Sequence, residues 1–139
     1  MNAVHQGVVT LLKSAVTGEV LSLPDGFDLE AAYGPLKYHH MSALIYEGAL
    51  RCGIPGDLTV MRRLFQSYCK SLQVSEGQQR QLERVFGAFD AAGIDYLPLK
   101  GCNMKALYPK PEMRTMGDAD ILIRLDQYSR IVPVMKALG

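Results

Sequence analysis

The chain has 139 residues, 48% of them hydrophobic and 21% charged, which suffices for one domain with a real core, or one domain and part of a second. A net charge of +1 makes no electrostatic case for nucleic acid or an anionic membrane as an obligatory partner. Three cysteines (Cys52, Cys69, Cys102) with no C-x-x-C pair argue against a disulfide framework or a zinc site and suit a reducing cytoplasm; no signal peptide is evident and no apolar run approaches the roughly 18 residues of a membrane span.

The first 92 residues read as helical. Val4, Val8, Val9, Leu11, Leu12, Ala15 and Val16 predict an amphipathic helix that Gly18 ends. Pro24-Asp25-Gly26 marks a turn, and Asp28 is placed to cap a helix from Leu29 to Tyr33 that Gly34-Pro35 interrupts. Met41, Leu44, Ile45 and Ala49 set a further helix within Leu36 to Cys52, closed by Gly53-Ile54-Pro55-Gly56. Asp57 is expected to cap the longest pattern, with Leu58, Met61, Leu64, Phe65, Tyr68 and Leu72 in one stripe and Leu82, Val85, Phe86 and Phe89 in another. One long helix and two helices broken near Gly77 both fit, because glycine costs only about 1 kcal/mol in a helix interior.

Strands enter after Ala91-Ala92-Gly93. Ile94 to Leu99 is a plausible strand, Gly101 to Tyr108 a short helix broken by Pro109-Lys110-Pro111, and Ala119 to Arg124 the clearest strand. Gln127 to Leu138 predicts a closing helix with Tyr128, Ile131, Val134, Met135 and Leu138 on one face and Gly139 as terminator. Helices followed by βαβα predict an α+β fold, with a helical region over residues 1–92 and the start of a nucleotide-binding domain over 93–139. Two strands alone leave an exposed edge, so the chain is expected to be a piece of a longer catalytic domain.

The chemistry concentrates at Leu99-Lys100-Gly101 and Gly117-Asp118-Ala119-Asp120. On a strand, Asp118 and Asp120 would point to one face, and two converging carboxylates repel unless a hard cation such as Mg²⁺ (or Mn²⁺) sits between them. A glycine turn into a helix offers backbone N–H groups to phosphate oxygens, so metal and phosphate cradle together suggest a nucleoside triphosphate. Lys100 can reach a phosphate, Arg114 can clamp one in bidentate fashion, and Lys105 is a weaker candidate; each has the ordinary alternative of a surface cation. His39-His40 on a helix would point about 100° apart and do not chelate together. The cysteines read as small buried hydrophobes, and the Tyr68, Phe86 and Phe89 stripe as core.

Gly93-Ile94, Leu99-Lys100-Gly101, Leu107-Tyr108-Pro109 and Arg114 through Ile123 together resemble the pattern GI-x-x-x-x-LKG … LYP … R-x-x-x-D-x-D-h-h-h of an uncharacterised nucleotidyltransferase family in the DNA polymerase β-like nucleotidyltransferase superfamily. The resemblance covers about a third of the chain, residues 93 to 139. It implies a mixed nucleotidyltransferase sheet, a divalent metal on Asp118 and Asp120, and a triphosphate against Lys100 and Gly101. It further implies attack by an acceptor on the α-phosphorus with release of pyrophosphate, Arg114 steadying phosphates or acceptor. The superfamily's usual Gly-Ser turn is here Gly101-Cys102, so Asn103 or backbone N–H groups would replace the serine hydroxyl. Its usual third carboxylate has no counterpart, since Asp126 alone is acidic after Asp120; the chain by itself is therefore expected to be inactive or nearly so.

Two other functions compete. A non-catalytic module would bind a protein partner, or a second copy, through the first 92 residues and keep the sheet as a relic. A phosphotransferase would move the γ-phosphate instead, although the P-loop spacing is missing. The acceptor and the nucleobase are not legible.

Overall fold

The computed structural model describes residues 2–139. Helix α1 (Ala3–Thr17) starts at Asn2, whose side chain accepts from the His5 N–H, and stops at Gly18 in the left-handed conformation (φ +79°). Pro24-Asp25-Gly26 forms the expected turn, closed by the Phe27 N–H on the Pro24 carbonyl. Asp28 then caps α2 (Leu29–Tyr38) through the Glu30 and Ala31 N–H groups, as its position predicts.

Gly34-Pro35 does not interrupt the chain as expected. Helix α2 runs through Pro35 to Tyr38, because Leu29, Ala32, Tyr33 and Leu36 are one buried stripe and burial outweighs the single backbone hydrogen bond that proline forgoes. The break falls instead at His39-His40, with His40 at φ +55°, so the two histidines lie in a helix junction and not on a helix. Helix α3 (Ser42–Arg51) follows. Its Gly48 lies so close to α1 that a Cβ there would stand 2.1 Å from the Leu11 carbonyl oxygen.

Helix α4 (Thr59–Ala91) is one unbroken helix through Gly77, which resolves the alternative left open by the sequence. Its N-cap is Leu58, without a side-chain hydrogen bond, so Asp57 is not the cap that its position suggested. The first half of α4 closes a core with α1, α2 and α3, made of residues including Leu11, Leu29, Leu36, Ile45, Met61 and Leu64.

The second half of α4 serves a smaller core. Phe89 joins Ile94 and Ile131, and Val85, Tyr96, Ile121, Ile123 and Val134 pack around them. Strands β1 (Tyr96–Pro98) and β2 (Ile121–Ile123) pair antiparallel, with Leu97 opposite Leu122; the Leu99 N–H on the Asp120 carbonyl (2.9 Å) carries the pairing one residue further. Both strands are shorter than the sequence suggests. Between them lie a single turn of helix, α5 (Gly101–Met104), and 3₁₀ turns at Lys105–Leu107 and Pro111–Met113, in place of a helix to Tyr108. The closing helix α6 (Tyr128–Leu138) buries Ile131 and half-buries Val134, whereas Tyr128 and Met135 of its expected apolar face are exposed. The α+β class is thus observed, with this antiparallel pair as the sheet among the described residues. Among them no helix is long and apolar enough to cross a membrane, and the three cysteines are free and half-buried.

Candidate nucleotidyl-transfer site

The end of β1 and the start of β2 lie side by side, and this pairing brings the two sequence motifs together. Lys100, two residues past the end of β1, sits at φ +45° and ψ −111°, a conformation that favours glycine. Strain of this kind persists only where the surroundings fix it. Here the Lys100 carbonyl accepts from the Asn103 and Met104 N–H groups, and the Asn103 side-chain amide donates to the Pro98 carbonyl (2.6 Å). Gly101 lets the turn lie against Met116, whose Sδ would be 2.8 Å from an added Cβ.

The turn holds Lys100 toward the acidic pair. Its ammonium lies 2.8 Å from Asp120 Oδ2, and this hydrogen bond, with the charges of Asp120 and Asp118 beside it, raises the Lys100 pKa above the ordinary lysine value. The side chains are 76% and 40% exposed, so water screens the pair and a better cation or anion can replace either partner. Asp118 is exposed, at the rim of a cleft of about 540 Å³ whose walls include Leu82, Val85, Met116 and Met135.

Asp118 and Asp120 both precede β2, so they do not share a strand face as the sequence suggested; Asp118 lines the cleft, whereas the Asp120 carboxylate is engaged by Lys100. A divalent ion of the magnesium type takes one or two carboxylates and fills its other positions from water and phosphates, and the open rim admits both. Among the described residues no third His, Cys, Asp or Glu joins them. Asp126 is held by Arg124 (2.8 Å) instead.

The other predicted residues are placed as follows. Cys102 is half-buried, and its N–H closes the turn on the Leu99 carbonyl. Asn103, with its amide on Pro98, braces the turn. Arg114 lies apart from the Lys100–Asp120 pair as a wall of a second cavity, of about 400 Å³, with Lys105. The segment that carries Arg114 is pinned from both sides: Lys110 pairs with Glu47 of α3, and Tyr68 Oη of α4 donates to Glu112 Oε1 (2.9 Å).

Sequence reasoning missed Gln78. Its Nε2 donates to the Met116 carbonyl (2.6 Å) and its Oε1 accepts from Lys105 Nζ (3.1 Å), and Gln78 and Met116 line both cavities. It also missed Lys37 and Lys70, which reach the second cavity from α2 and α4. The signal was present in the longest helix. Ser67, Ser71 and Ser75 recur every four residues, a small polar stripe with Gln78 one turn further on.

A family model described as an uncharacterised nucleotidyltransferase matches residues 25–139. No curated protein and no solved structure matches the chain. The match begins well before the motif-bearing segment and takes in α2, α3 and α4, so these helices are part of what defines the family. The chain belongs to this uncharacterised nucleotidyltransferase family.

Proposed function

We propose that the chain binds a nucleoside triphosphate through Lys100, Gly101, Asp118 and Asp120 and serves the transfer of its nucleoside monophosphate to an acceptor, with release of pyrophosphate. The observation that carries this reading is the Lys100–Asp120 contact (2.8 Å) across the paired strand ends, which sets the glycine turn beside the acidic entry to β2. Asp118 and Asp120 would hold a divalent cation, Mg²⁺ or Mn²⁺, which when bound neutralises phosphate charge and lowers the pKa of an attacking hydroxyl. Lys100 offers its ammonium to the phosphates once Asp120 has another partner, and the fixed turn aims it. Gly101 keeps that turn against Met116 and free of a side chain. Two carboxylates without a third support binding more than turnover, so the 139-residue chain alone binds nucleotide and transfers it slowly or not at all.

Titration of Mg-ATP by calorimetry tests the reading. Binding should require the metal and weaken at least tenfold in both Asp118→Asn and Asp120→Asn. Binding indifferent to both changes would overturn it and favour a module that engages a protein through its helices. Where turnover is detected, pyrophosphate as product supports nucleotidyl transfer, and ADP would indicate γ-phosphoryl transfer instead.

A further inference from the structure

The cavity beyond Gln78 has an electrostatic character that the proposed reaction leaves unused. Lys37, Lys70, Lys105 and Arg114 line it against a single carboxylate, Glu112, which already accepts the Tyr68 hydroxyl. None of the four cations has an ion-pair partner within 4.0 Å among the described residues, although Lys13, Arg63, Lys100, Lys110 and Arg124 all do.

Lys105 as a whole and the Nε of the half-buried Arg114 are withdrawn from water, which makes the lack of a counter-ion costly. Lys105 is 8% exposed, and its ammonium is held only by neutral oxygens, Ser75 Oγ at 3.0 Å and Gln78 Oε1 at 3.1 Å. Burial accordingly lowers its pKa, with the nearby Cys102 and Glu112 acting in the opposite direction. Arg114 has its Nε buried without any hydrogen-bond partner. A buried donor in this state forgoes its hydration without a replacement, and native proteins leave few such groups.

The backbone adds to the same field. Ser42, the first residue of α3, lines the cavity, and that helix start has no side-chain cap and no acidic residue in its first turn. Its free N–H groups therefore add partial positive charge where the four cations converge. The serines of the α4 stripe supply hydroxyls that can donate as well.

We propose that this cavity is a binding site for a phosphate-bearing ligand, with Lys105 and Arg114 as its principal contacts and Lys37 and Lys70 at its mouth. Four unpaired cations call for more than one negative charge, which a phosphate monoester or a phosphate chain supplies and a lone carboxylate does not. At about 400 Å³ the cavity exceeds a bare phosphate several-fold, so the phosphate arrives attached to a larger group. That group is either the triphosphate donor or a phosphorylated acceptor. The site needs neither Asp118 nor a metal, so its occupancy is tested independently of the metal site proposed above.

Inorganic phosphate and glucose 6-phosphate, titrated in EDTA and followed by thermal shift and by amide chemical shifts, test the proposal. Saturable stabilisation is expected from at least one of them, with the amides of Ser75, Lys105 and Arg114 moving most. Affinity should fall at least tenfold in Lys105→Met and in Arg114→Gln, and stay within twofold in the Asp118→Asn/Asp120→Asn double variant. Lys105→Met should melt at the same or a higher temperature without ligand, because it removes a buried charge that lacks a counter-ion. Arg114 sits in a loop, so Arg114→Gln keeps the test decisive if Lys105→Met fails to fold. Absence of saturable binding by either probe, or binding that both variants retain, would overturn the proposal. Loss of Mg-ATP binding in the double variant with phosphate binding intact would leave the two sites distinct. Displacement of bound phosphate by Mg-ATP would identify the donor as the phosphate's source, and simultaneous binding would identify the acceptor.

Discussion

The two halves of the molecule are built to different standards. Around α1, α2, α3 and the start of α4, ten residues are buried in one apolar cluster, and Leu11, Ile45 and Leu64 have no exposed surface. Around the strands and α6 only Phe89, Ile94 and Ile131 are buried in the corresponding cluster, and Leu97 and Leu122 stand about half exposed on the outer face of the sheet. The candidate nucleotide site lies entirely on the thinner side. Stability is therefore concentrated away from the chemistry, and the turn at Lys100 is held by its own hydrogen bonds rather than by a deep core beneath it.

The largest effect expected from this contrast is on unfolding. Leu64→Ala should cost about 2–5 kcal/mol in urea denaturation, because a cavity opens where nothing can collapse to fill it. Ile131→Ala should fall near the bottom of the same range and leave the amides of α1 and α3 protected from hydrogen exchange. Equal losses at the two positions would break the comparison. Gly48→Ala should cost about 1–3 kcal/mol, since its Cβ meets backbone of α1 and the two helices must part. A smaller effect of opposite sign is expected at the site. Lys100→Gly should raise the melting temperature slightly by relieving the positive φ, while Mg-ATP binding weakens. A site chosen for stability would show both falling together.

The smallest effect is on alkaline pH dependence. Lys105 has its folded pKa below the lysine value of 10.5, so between those two values the unfolded chain binds more protons than the folded one. Its contribution therefore makes stability rise with pH across that window. Lys100 and Lys110, with raised values, contribute in the opposite sense, their stabilisation being lost as pH climbs through their folded pKa. The wild-type curve minus that of Lys105→Met isolates the first contribution and should slope upward; a flat difference would show that Lys105 is solvated.

Much of this contrast was readable from residue order. The periodicity of Leu11, Ile45 and Leu64 marks the well-packed half, and the caps Asp28 and Gly18 act where their chemistry predicts. Gly34-Pro35 misleads because a local breaker competes with a tertiary stripe that lies outside any local window. Asp57 misleads for the opposite reason: a good capping residue stands one position too early. The Asp118-x-Asp120 and Lys100-Gly101 motifs do converge, but only pairing between strands separated by 22 residues could place Lys100 on Asp120. The basic cavity was the least legible, because its cations come from α2, α4 and the segment between the strands, each an ordinary surface lysine or arginine in isolation.

Helix α4 has a consequence for how this chain can be cut. At 33 residues it is about 50 Å long, a single beam whose two ends belong to different cores. A fragment excised at Gly93 would carry every residue of the nucleotidyltransferase motif and yet lose Val85, Phe86 and Phe89, the ledge on which Tyr96 and Ile121 rest. Any protein that borrows the motif must bring its own substitute for that ledge, which makes the back half of α4 as much a part of the portable unit as the aspartates themselves.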